Sequence, residues 1–255
     1  MAELLCVKDL TKVYGKRGAV TRALDGVDLS LEAGEYVGSW GPPAPARPPC
    51  STASPPSTGP PPGSIQVDGE ELTGLRGRAL TRFRRERLGF IFQDCNLLDT
   101  LTAFENIALS LSILRTPAAQ IRDRVEETAE LLGIGDCLDK YPYQMSGGQQ
   151  QRCAAARAIV TRPALVLADE PTGALDSKSS RLLLERLEVL NRERGATILM
   201  VTHDAFTASC CRRVVFLRDG KIFAQLERDG GDRRALFQQI IRVVTQLGGE
   251  MEDVL

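Results

Sequence analysis

The sequence predicts an α/β fold, and three observations support this. Short apolar runs, each typical of a buried strand, occur at 164–168, 196–201 and 213–217. Helical segments are predicted between them at 177–194 and 204–211. Strands that alternate with helices in this way indicate a parallel sheet with crossover helices. At 255 residues the chain is long enough to bury a large core, in one large domain or two small ones.

The amino-terminal part of the chain predicts further strands. Apolar and polar residues alternate around Leu5–Leu10 and Val27–Leu31, which indicates two strands separated by a loop. A third strand with a turn is predicted at 64–69. A basic helical segment at 82–87 then leads into a strand at 88–93.

Helices are predicted for most of the middle of the chain. Apolar residues at helical spacing indicate helices from Leu101 to Leu114 and from Ile121 to Leu132. A third helix begins after Gly147 and runs to Val160. Residues 229–255 predict a polar, weakly helical tail.

Composition narrows the class of protein. A net charge of −1 gives no indication of a nucleic-acid-binding surface. Seven cysteines without a C-x-x-C pair argue against a disulfide framework or a zinc site, and favour a reduced cytosol. The first residues lack the pattern of a signal peptide, and no run approaches the roughly 18 apolar residues of a membrane helix. We therefore expect any contact with a membrane to pass through a partner.

An acidic pair follows the apolar strand at 164–168. Asp169 and Glu170 are therefore expected at the carboxyl edge of the sheet, where open α/β folds bind ligands. An aspartate there can bind Mg²⁺, and a glutamate beside it can orient or deprotonate an attacking water. The alternative is a solvated strand end without chemistry.

A glycine pair opens the helix that ends near Val160. Bare glycines after a serine cap expose backbone N–H groups at the positive end of the helix, which suits an anion. A lone Ser-Gly-Gly is more often a plain helix cap. Here the motif is longer: Ser146-Gly147-Gly148-Gln149-Gln150-Gln151-Arg152.

These motifs, with His203 at the end of the 196–201 strand, resemble the ATPase subunits of ABC (ATP-binding cassette) transporters in order and spacing. His203 is the only histidine of the chain. The resemblance implies that Asp169 binds Mg²⁺, that Glu170 acts on the attacking water and that His203 contacts the γ-phosphate of ATP. A lone histidine is otherwise usually structural.

The resemblance also implies roles for residues outside the acidic pair. Gln93 corresponds to the Q-loop glutamine, which touches Mg²⁺ or the water and senses the membrane partner; otherwise it is a surface glutamine. Tyr14 corresponds to the aromatic ring that stacks on adenine, the alternative being a half-buried core tyrosine. By the same resemblance, Asp176 would lie in the D-loop. The segment Ser146, Gly147, Gly148 and Gln149 would clamp nucleotide held mainly by an opposite subunit.

The phosphate-binding loop that the family requires is absent from its expected place at 41–52. That loop reads G-x-x-x-x-G-K-[ST], with backbone N–H groups around the phosphates and a lysine against their charge. Here ten prolines fall between residues 38 and 63, and no lysine occurs between Lys16 and Lys140. Proline has no N–H and resists a helix interior. Arg47 falls near the place of the lysine, but its neighbours cannot build the loop.

A shifted reading frame accounts for the aberrant segment from residue 38 to about 63. Read from the third bases of their codons, Pro-Pro-Ala-Pro-Ala-Arg-Pro-Pro-Cys-Ser after Gly41 is compatible with Pro-Ser-Gly-Ser-Gly-Lys-Thr-Thr-Leu-Leu. Two compensating insertions or deletions would restore the frame before Ser64. We interpret the segment as frameshifted, by sequencing error or real lesion. The alternative is a genuine Pro-rich insertion, and we expect an irregular segment with a gap in the sheet beside the 164–168 strand.

The resemblance implies an overall architecture. It predicts a P-loop NTPase-like (RecA-like) α/β core with an antiparallel β region and an inserted helical subdomain at about 95–160. Residues 1–228 would form one ABC ATPase domain, followed by the tail at 229–255. Residues 97–107, Leu-Leu-Asp-Thr-Leu-Thr-Ala-Phe-Glu-Asn-Ile, are similar to the branch that serves macrolide export, lipoprotein release and antimicrobial-peptide export.

For function, the resemblance implies an ATPase that uses ATP and Mg²⁺ to drive a separately encoded membrane permease. A second ABC ATPase subunit, as a homodimer or a fused partner, would complete each site, and the protein would lie on the cytoplasmic face of the membrane. One alternative is a catalytically impaired subunit that only binds or scaffolds its partner. Another is a soluble ABC ATPase of DNA repair or translation, whose long coiled coils or paired cassettes are not visible here.

Overall fold

A computed structural model describes residues 3–14, 21–41, 62–228 and 232–252 of the chain. In chain order its strands are β1 Glu3–Tyr14, β2 Thr21–Glu32, β3 Tyr36–Trp40, β4 Ser64–Val67, β5 Glu70–Glu71, β6 Leu88–Ile91, β7 Leu165–Asp169, β8 Thr197–Val201, β9 Arg213–Arg218 and β10 Lys221–Glu227. Its α-helices are α1 Gly77–Arg87, α2 Ala103–Ile113, α3 Ala118–Leu131, α4 Gly147–Ile159, α5 Ser177–Arg194, α6 Ala205–Ala208 and α7 Arg233–Glu252. Two single 3₁₀ turns lie at Gly135–Cys137 and Pro142–Gln144.

The strands form two sheets. The smaller sheet is antiparallel, in the order β2-β1-β4-β5, and the larger follows the order β10-β9-β3-β8-β7-β6. In the larger sheet the five strands from β9 to β6 run parallel, and β10 pairs antiparallel with β9. The predicted α/β fold with an antiparallel region is therefore confirmed.

Several of the helices, among them α2 and α5, begin at a residue whose side chain caps them. Thr102 caps α2 in a reciprocal capping box with Glu105, and Asp176 caps α5 by accepting backbone N–H bonds. Gly195 ends α5 in the left-handed conformation that glycine adopts most easily, at φ 63°. These local signals fix the lengths of the helices that support the sheet.

Two apolar cores hold the layers together. One lies between the two sheets and includes Leu31, Val67 and Leu165, each essentially inaccessible to solvent. The other lies between the main sheet and the helices and includes Ile107, Leu183 and many others. The parallel strands are buried on both faces, which explains their continuous apolar runs.

The expectation of a gap in the main sheet was wrong. β7 lies between β8 and β6, and β3 fills the next place, paired with β8 and β9. The strand forms because Tyr36 and Val37 are buried, and because it ends at Trp40, before the first proline of the aberrant segment. Residues 38–40 are thus part of the fold, and the expected irregular stretch at 42–61 lies outside the described residues.

The carboxyl-terminal segment also differs from the expected polar tail. Residues Arg233–Glu252 form helix α7. Leu236 and Ile240 of this helix are buried at 1% and 0% exposure within the main core. Polar side chains between these apolar positions conceal the pattern, since only one face of the helix is buried.

Candidate active site

The carboxyl ends of β7 and β8 lie side by side at one edge of the main sheet. The register pairs Asp169, the last residue of β7, with Val201, the last residue of β8. Residues that directly follow each strand must therefore be neighbours. The sequence placed Asp169 and Glu170 after one strand and His203 after the other, and the parallel pairing brings these segments together.

Glu170 and His203 are in direct contact. Nδ1 of His203 lies 2.6 Å from Oε1 of Glu170, and the hydroxyl of Thr202 donates to Oε2 of Glu170 at 3.2 Å. The backbone N–H of Glu170 donates to the carbonyl of Val201 at 2.9 Å. Glu170 adopts φ 47°, a left-handed conformation unusual for this residue type, in the sharp turn after β7. Both carboxylate oxygens are thus held by the strand end next to them.

The two members of this pair differ in exposure. The side chain of Glu170 is 18% exposed, whereas that of His203 is 64% exposed. The imidazole therefore lies on the solvent side of the carboxylate, where a bound ligand can reach it. The carboxylate is shielded enough for its hydrogen bonds to hold a fixed orientation.

Gln93 lies against the loop that follows Glu170. A Cβ added to Gly173 would lie 3.1 Å from Cδ of Gln93, a tight contact, so the glycine gives the glutamine side chain room there. Gln93 follows β6, the edge strand beside β7. The predicted glutamine and the predicted acidic pair are therefore at the same edge of the sheet.

Helix α4 begins at a serine cap, and the amino-terminal end of a helix suits the binding of an anion. Ser146 caps it: the N–H of Gln149 donates to the Ser146 hydroxyl at 3.3 Å, and the N–H of Ser146 donates to Oε1 of Gln149 at 2.9 Å. Around Gly147 there is open space, since an added Cβ would meet nothing within 4 Å. An added Cβ on Gly148 would lie 2.5 Å from the hydroxyl oxygen of Ser179. Gly147 therefore leaves the helix terminus accessible, whereas Gly148 allows α4 to pack closely against Ser179.

Asp176 anchors the beginning of α5 beside that terminus. Its Oδ1 accepts the N–H groups of Lys178 and Ser179, both at 2.9 Å, and its Oδ2 accepts the Ser179 hydroxyl at 2.8 Å. The backbone N–H of Ser179, followed by its hydroxyl, holds the pKa of the Asp176 carboxyl below its usual range. Ser179 therefore lies against both Asp176 and Gly148, two of the site residues predicted from the sequence.

Sequence reasoning missed the role of Gln151, which joins these segments. Its Nε2 donates to the carbonyls of Phe92 at 2.7 Å and Pro171 at 3.0 Å, and its side chain is buried at 1% exposure. It ties α4 to the residues just before Gln93 and just after Glu170. Within a run of three glutamines only the helical phase distinguishes it, because Gln151 falls on the inward face of α4.

Other predicted positions fall partly or wholly outside the described residues. Tyr14 ends β1 and pairs with Thr21, but its side chain is not described. Of the expected phosphate-loop position only Gly41 is described. Among the described residues no group of three or more histidine, cysteine, aspartate or glutamate side chains is arranged to hold a metal ion.

The arrangement defines a class of protein. A parallel sheet whose carboxyl edge carries an acidic pair, a histidine and a glutamine is typical of enzymes that transfer the phosphoryl group of nucleoside triphosphates. Nothing in the described ranges is a helix long and apolar enough to span a bilayer.

Comparison with known proteins narrows the class. Residues 56–173 match the ABC transporter family. The bacitracin export ATP-binding protein BceA of Halalkalibacterium halodurans is 42% identical over 98% of this chain and 99% of its own length. The ABC transporter ATP-binding protein YxdL of Bacillus subtilis is 42% identical over 100% of this chain and 98% of its own length.

A solved structure agrees with these relatives. The dimeric, post-hydrolysis state of the ATP-binding cassette MJ0796 bound to ADP and Pi superimposes with a TM-score of 0.74 at 32% identity. The match covers 89% of this chain and 99% of that one. The chain belongs to the ABC transporter ATP-binding family, whose members are ATPases coupled to transport. The family inferred from the motifs is thereby confirmed, and the protein is an enzyme by family.

Proposed function

We propose that this chain is the ATPase subunit of an export-type or lipoprotein-release ABC transporter, and that the sequence as written is impaired because its phosphate loop is missing. The names of two relatives, a bacitracin exporter subunit and a macrolide export protein, support the export branch. The single observation that carries the proposal is the 2.6 Å contact between Glu170 and His203 at adjacent strand ends.

In this proposal Glu170 orients the attacking water and takes its proton, and His203 contacts the γ-phosphate. The shielded carboxylate of Glu170 suits the role of a base toward water. The more exposed imidazole of His203 suits contact with the nucleotide, which lies farther out than the water in this proposal. Thr202 donates to the second carboxylate oxygen, which helps to hold the carboxylate in one orientation.

Mg²⁺ supplies charge neutralisation of the phosphates when it is bound. The residues present fit this ion, because Mg²⁺ takes one or two protein oxygens and obtains the rest from phosphates and waters. Asp169 at the end of β7 and the amide oxygen of Gln93 are the candidates, since both lie at the edge of the sheet that carries Glu170.

The segment Ser146 to Gln149 is proposed to act on nucleotide held by a second ABC subunit. Its capped helix terminus and the open space at Gly147 support contact with a phosphate from outside the chain. The dimeric state of the similar cassette MJ0796 supports such a pairing. A membrane permease would be the other partner, which would hold the protein at the cytoplasmic face.

The missing loop supports the impaired alternative for the chain as written. Five of the positions from 42 to 49 are prolines, which cannot donate backbone N–H bonds to phosphate. We propose that the stretch from residue 38 to about 63 is frameshifted, although its first residues, 38–40, still form the end of β3. Resequencing the gene across codons 36–65 tests this directly: an unambiguous in-frame Pro-rich reading would overturn it.

The functional proposal is tested by measuring Mg²⁺-ATP binding and steady-state hydrolysis with the chain as written. Each lost charge-assisted hydrogen bond to the phosphates is worth roughly 1.5–3 kcal/mol, so we expect weak binding and almost no turnover. Turnover close to that of an intact relative such as BceA, measured in parallel, would contradict the proposed impairment.

A further inference from the structure

The residues that follow His203 in the chain form a helix that is too short to be stable by itself. α6, Ala205–Ala208, is one turn that follows Asp204 directly. Because the first turn of a helix is costly to form, neighbouring groups must hold it in place. Oδ2 of Asp204 accepts the N–H of Thr207 at 2.7 Å, and the hydroxyl of Thr207 lies 3.0 Å from that of Thr172, with both side chains buried. These contacts fix one side of the turn.

Arg233, the first residue of α7, holds the other side. Its guanidinium carbon lies 4.3 Å from the centre of the Phe206 ring. Its Nε donates to the hydroxyl of Ser209 at 3.1 Å, and its Nη2 donates to the carbonyl of Phe206 at 3.3 Å. A second guanidinium, that of Arg181 in α5, is farther from the ring at 6.0 Å. One planar group of α7 thus contacts both the side chain and the backbone of α6.

The position of Arg233 in α7 is not explained by the stability of that helix. A cation in the first helical turn opposes the macrodipole, and α7 has no acidic residue there. The helix is instead held by Leu236 and Ile240, which are buried in the main core. Arg233 is therefore carried on a rigid support and directed at α6.

We propose that Arg233 is a positioning residue for His203. Through Phe206 and Ser209 it fixes the turn that presents the exposed imidazole to Glu170, and it makes the carboxyl-terminal helix part of the catalytic unit. The inference rests on the proposed role of His203. Because 64% of the His203 side chain is exposed, packing constrains its ring little, and the backbone turn together with the contact to Glu170 sets the direction of the ring.

The single histidine allows a direct test. The full chain is labelled with ¹³C-histidine and purified with a histidine-free tag, so that one imidazole cross-peak reports on His203. Arg233→Ala is expected to shift this peak by more than its linewidth and to broaden it. Arg234→Ala is the matched control, because that exposed side chain is adjacent in sequence, and it should leave the peak unchanged. Arg233→Lys keeps the charge but not the planar fork, and should give an intermediate shift.

Hydrogen exchange measures the same turn through its backbone. The amides of Thr207, Ala208 and Ser209 are hydrogen-bonded within α6 and its cap. In Arg233→Ala they should exchange at least about tenfold faster than in the wild type or in Arg234→Ala. A role confined to docking α7 would lower the melting temperature and leave the His203 peak in place.

An unchanged peak and unchanged amide exchange in folded Arg233→Ala would overturn the proposal. If that variant does not fold, Phe206→Leu removes the ring from the other side of the contact and should shift the peak in the same way; an unmoved peak then overturns it. No nucleotide is used, so failure of the ATPase proposal appears only in the hydrolysis assays and is distinguishable from failure here.

Discussion

The ends of β7 and β8 and the end of β3 lie beside one another at the same edge of the main sheet, and they differ in the residues that come next in the chain. Asp169 ends β7, and Glu170 and His203, which follow β7 and β8, are hydrogen-bonded to each other. After Trp40, β3 is followed by Gly41 and then by proline. The strand itself is intact and paired on both sides. A strand thus depends on its own apolar residues, whereas the chemistry at its end depends on the few residues after it.

The largest effect is expected from restoring the end of β3. Replacing residues 42–51 by Pro-Ser-Gly-Ser-Gly-Lys-Thr-Thr-Leu-Leu, with the rest of the segment returned to the same frame, should raise ATP turnover at least about 10²-fold. This follows from regaining two or more charge-assisted phosphate contacts of roughly 1.5–3 kcal/mol each. Steady-state hydrolysis measures it.

A single substitution provides the control for this repair. Arg47→Lys in the chain as written adds the lysine without the loop, and the prolines around it still lack N–H groups. We expect no gain in turnover. Activity in Arg47→Lys comparable to that of the repaired chain would show that the loop backbone is not what is missing.

The next effect concerns the end of β7. In the repaired chain, Glu170→Gln should lower hydrolysis by roughly 10²–10⁴-fold while ATP binding remains, because an amide cannot take a proton from water. Binding is followed by equilibrium titration with Mg²⁺-ATP, and turnover by phosphate release. Unchanged turnover would move the catalytic role to another residue.

Stability tests the rigid support behind His203. Ile240→Ala should destabilise the chain by about 2–5 kcal/mol, because its side chain is fully buried in the main core. Ile241→Ala, one residue on and 43% exposed, should change stability by no more than about 0.5 kcal/mol. Urea denaturation measures both. If Ile240→Ala lowered the free energy of unfolding as little as Ile241→Ala, α7 would not be packed in the core.

The smallest expected effect is on the pH dependence of stability, and it concerns Glu71 in β5, close after the aberrant segment. Glu71 accepts hydrogen bonds from Ser64, Ile65 and Thr73. Although burial raises its pKa, the hydroxyls of Ser64 and Thr73 and the backbone donors outweigh this and lower it from 4.5 to about 2. The unfolded chain therefore binds the proton first, and stability is lost as the pH falls from about 5 towards 2.

Glu71→Gln should remove part of that pH dependence. Denaturation between pH 5 and 2 would show a shallower loss of unfolding free energy in this variant than in the wild type. The adjacent, exposed Glu70→Gln is the control and should follow the wild type. Coincident curves for Glu71→Gln and the wild type would contradict the assignment.

Much of the fold could be predicted because its signals are local. The apolar run before Asp169 and the glycine after α5 each define an element within a few residues. The short β5 and the edge strand β10 were not predicted, since two residues at β5 and a half-exposed pattern at β10 carry little signal.

The sequence alone determined the α/β class, the ABC family and the residue types at the strand ends, because each depends on short motifs whose chemistry is readable in order. It also determined that no phosphate-loop motif is present. Only the tertiary structure decided that Glu170 and His203 touch, that Gln151 joins three segments and that Arg233 contacts Phe206. The physical reason is that these contacts join residues 20 to 59 positions apart, and strand pairing and core packing, not local propensity, bring them within hydrogen-bond distance.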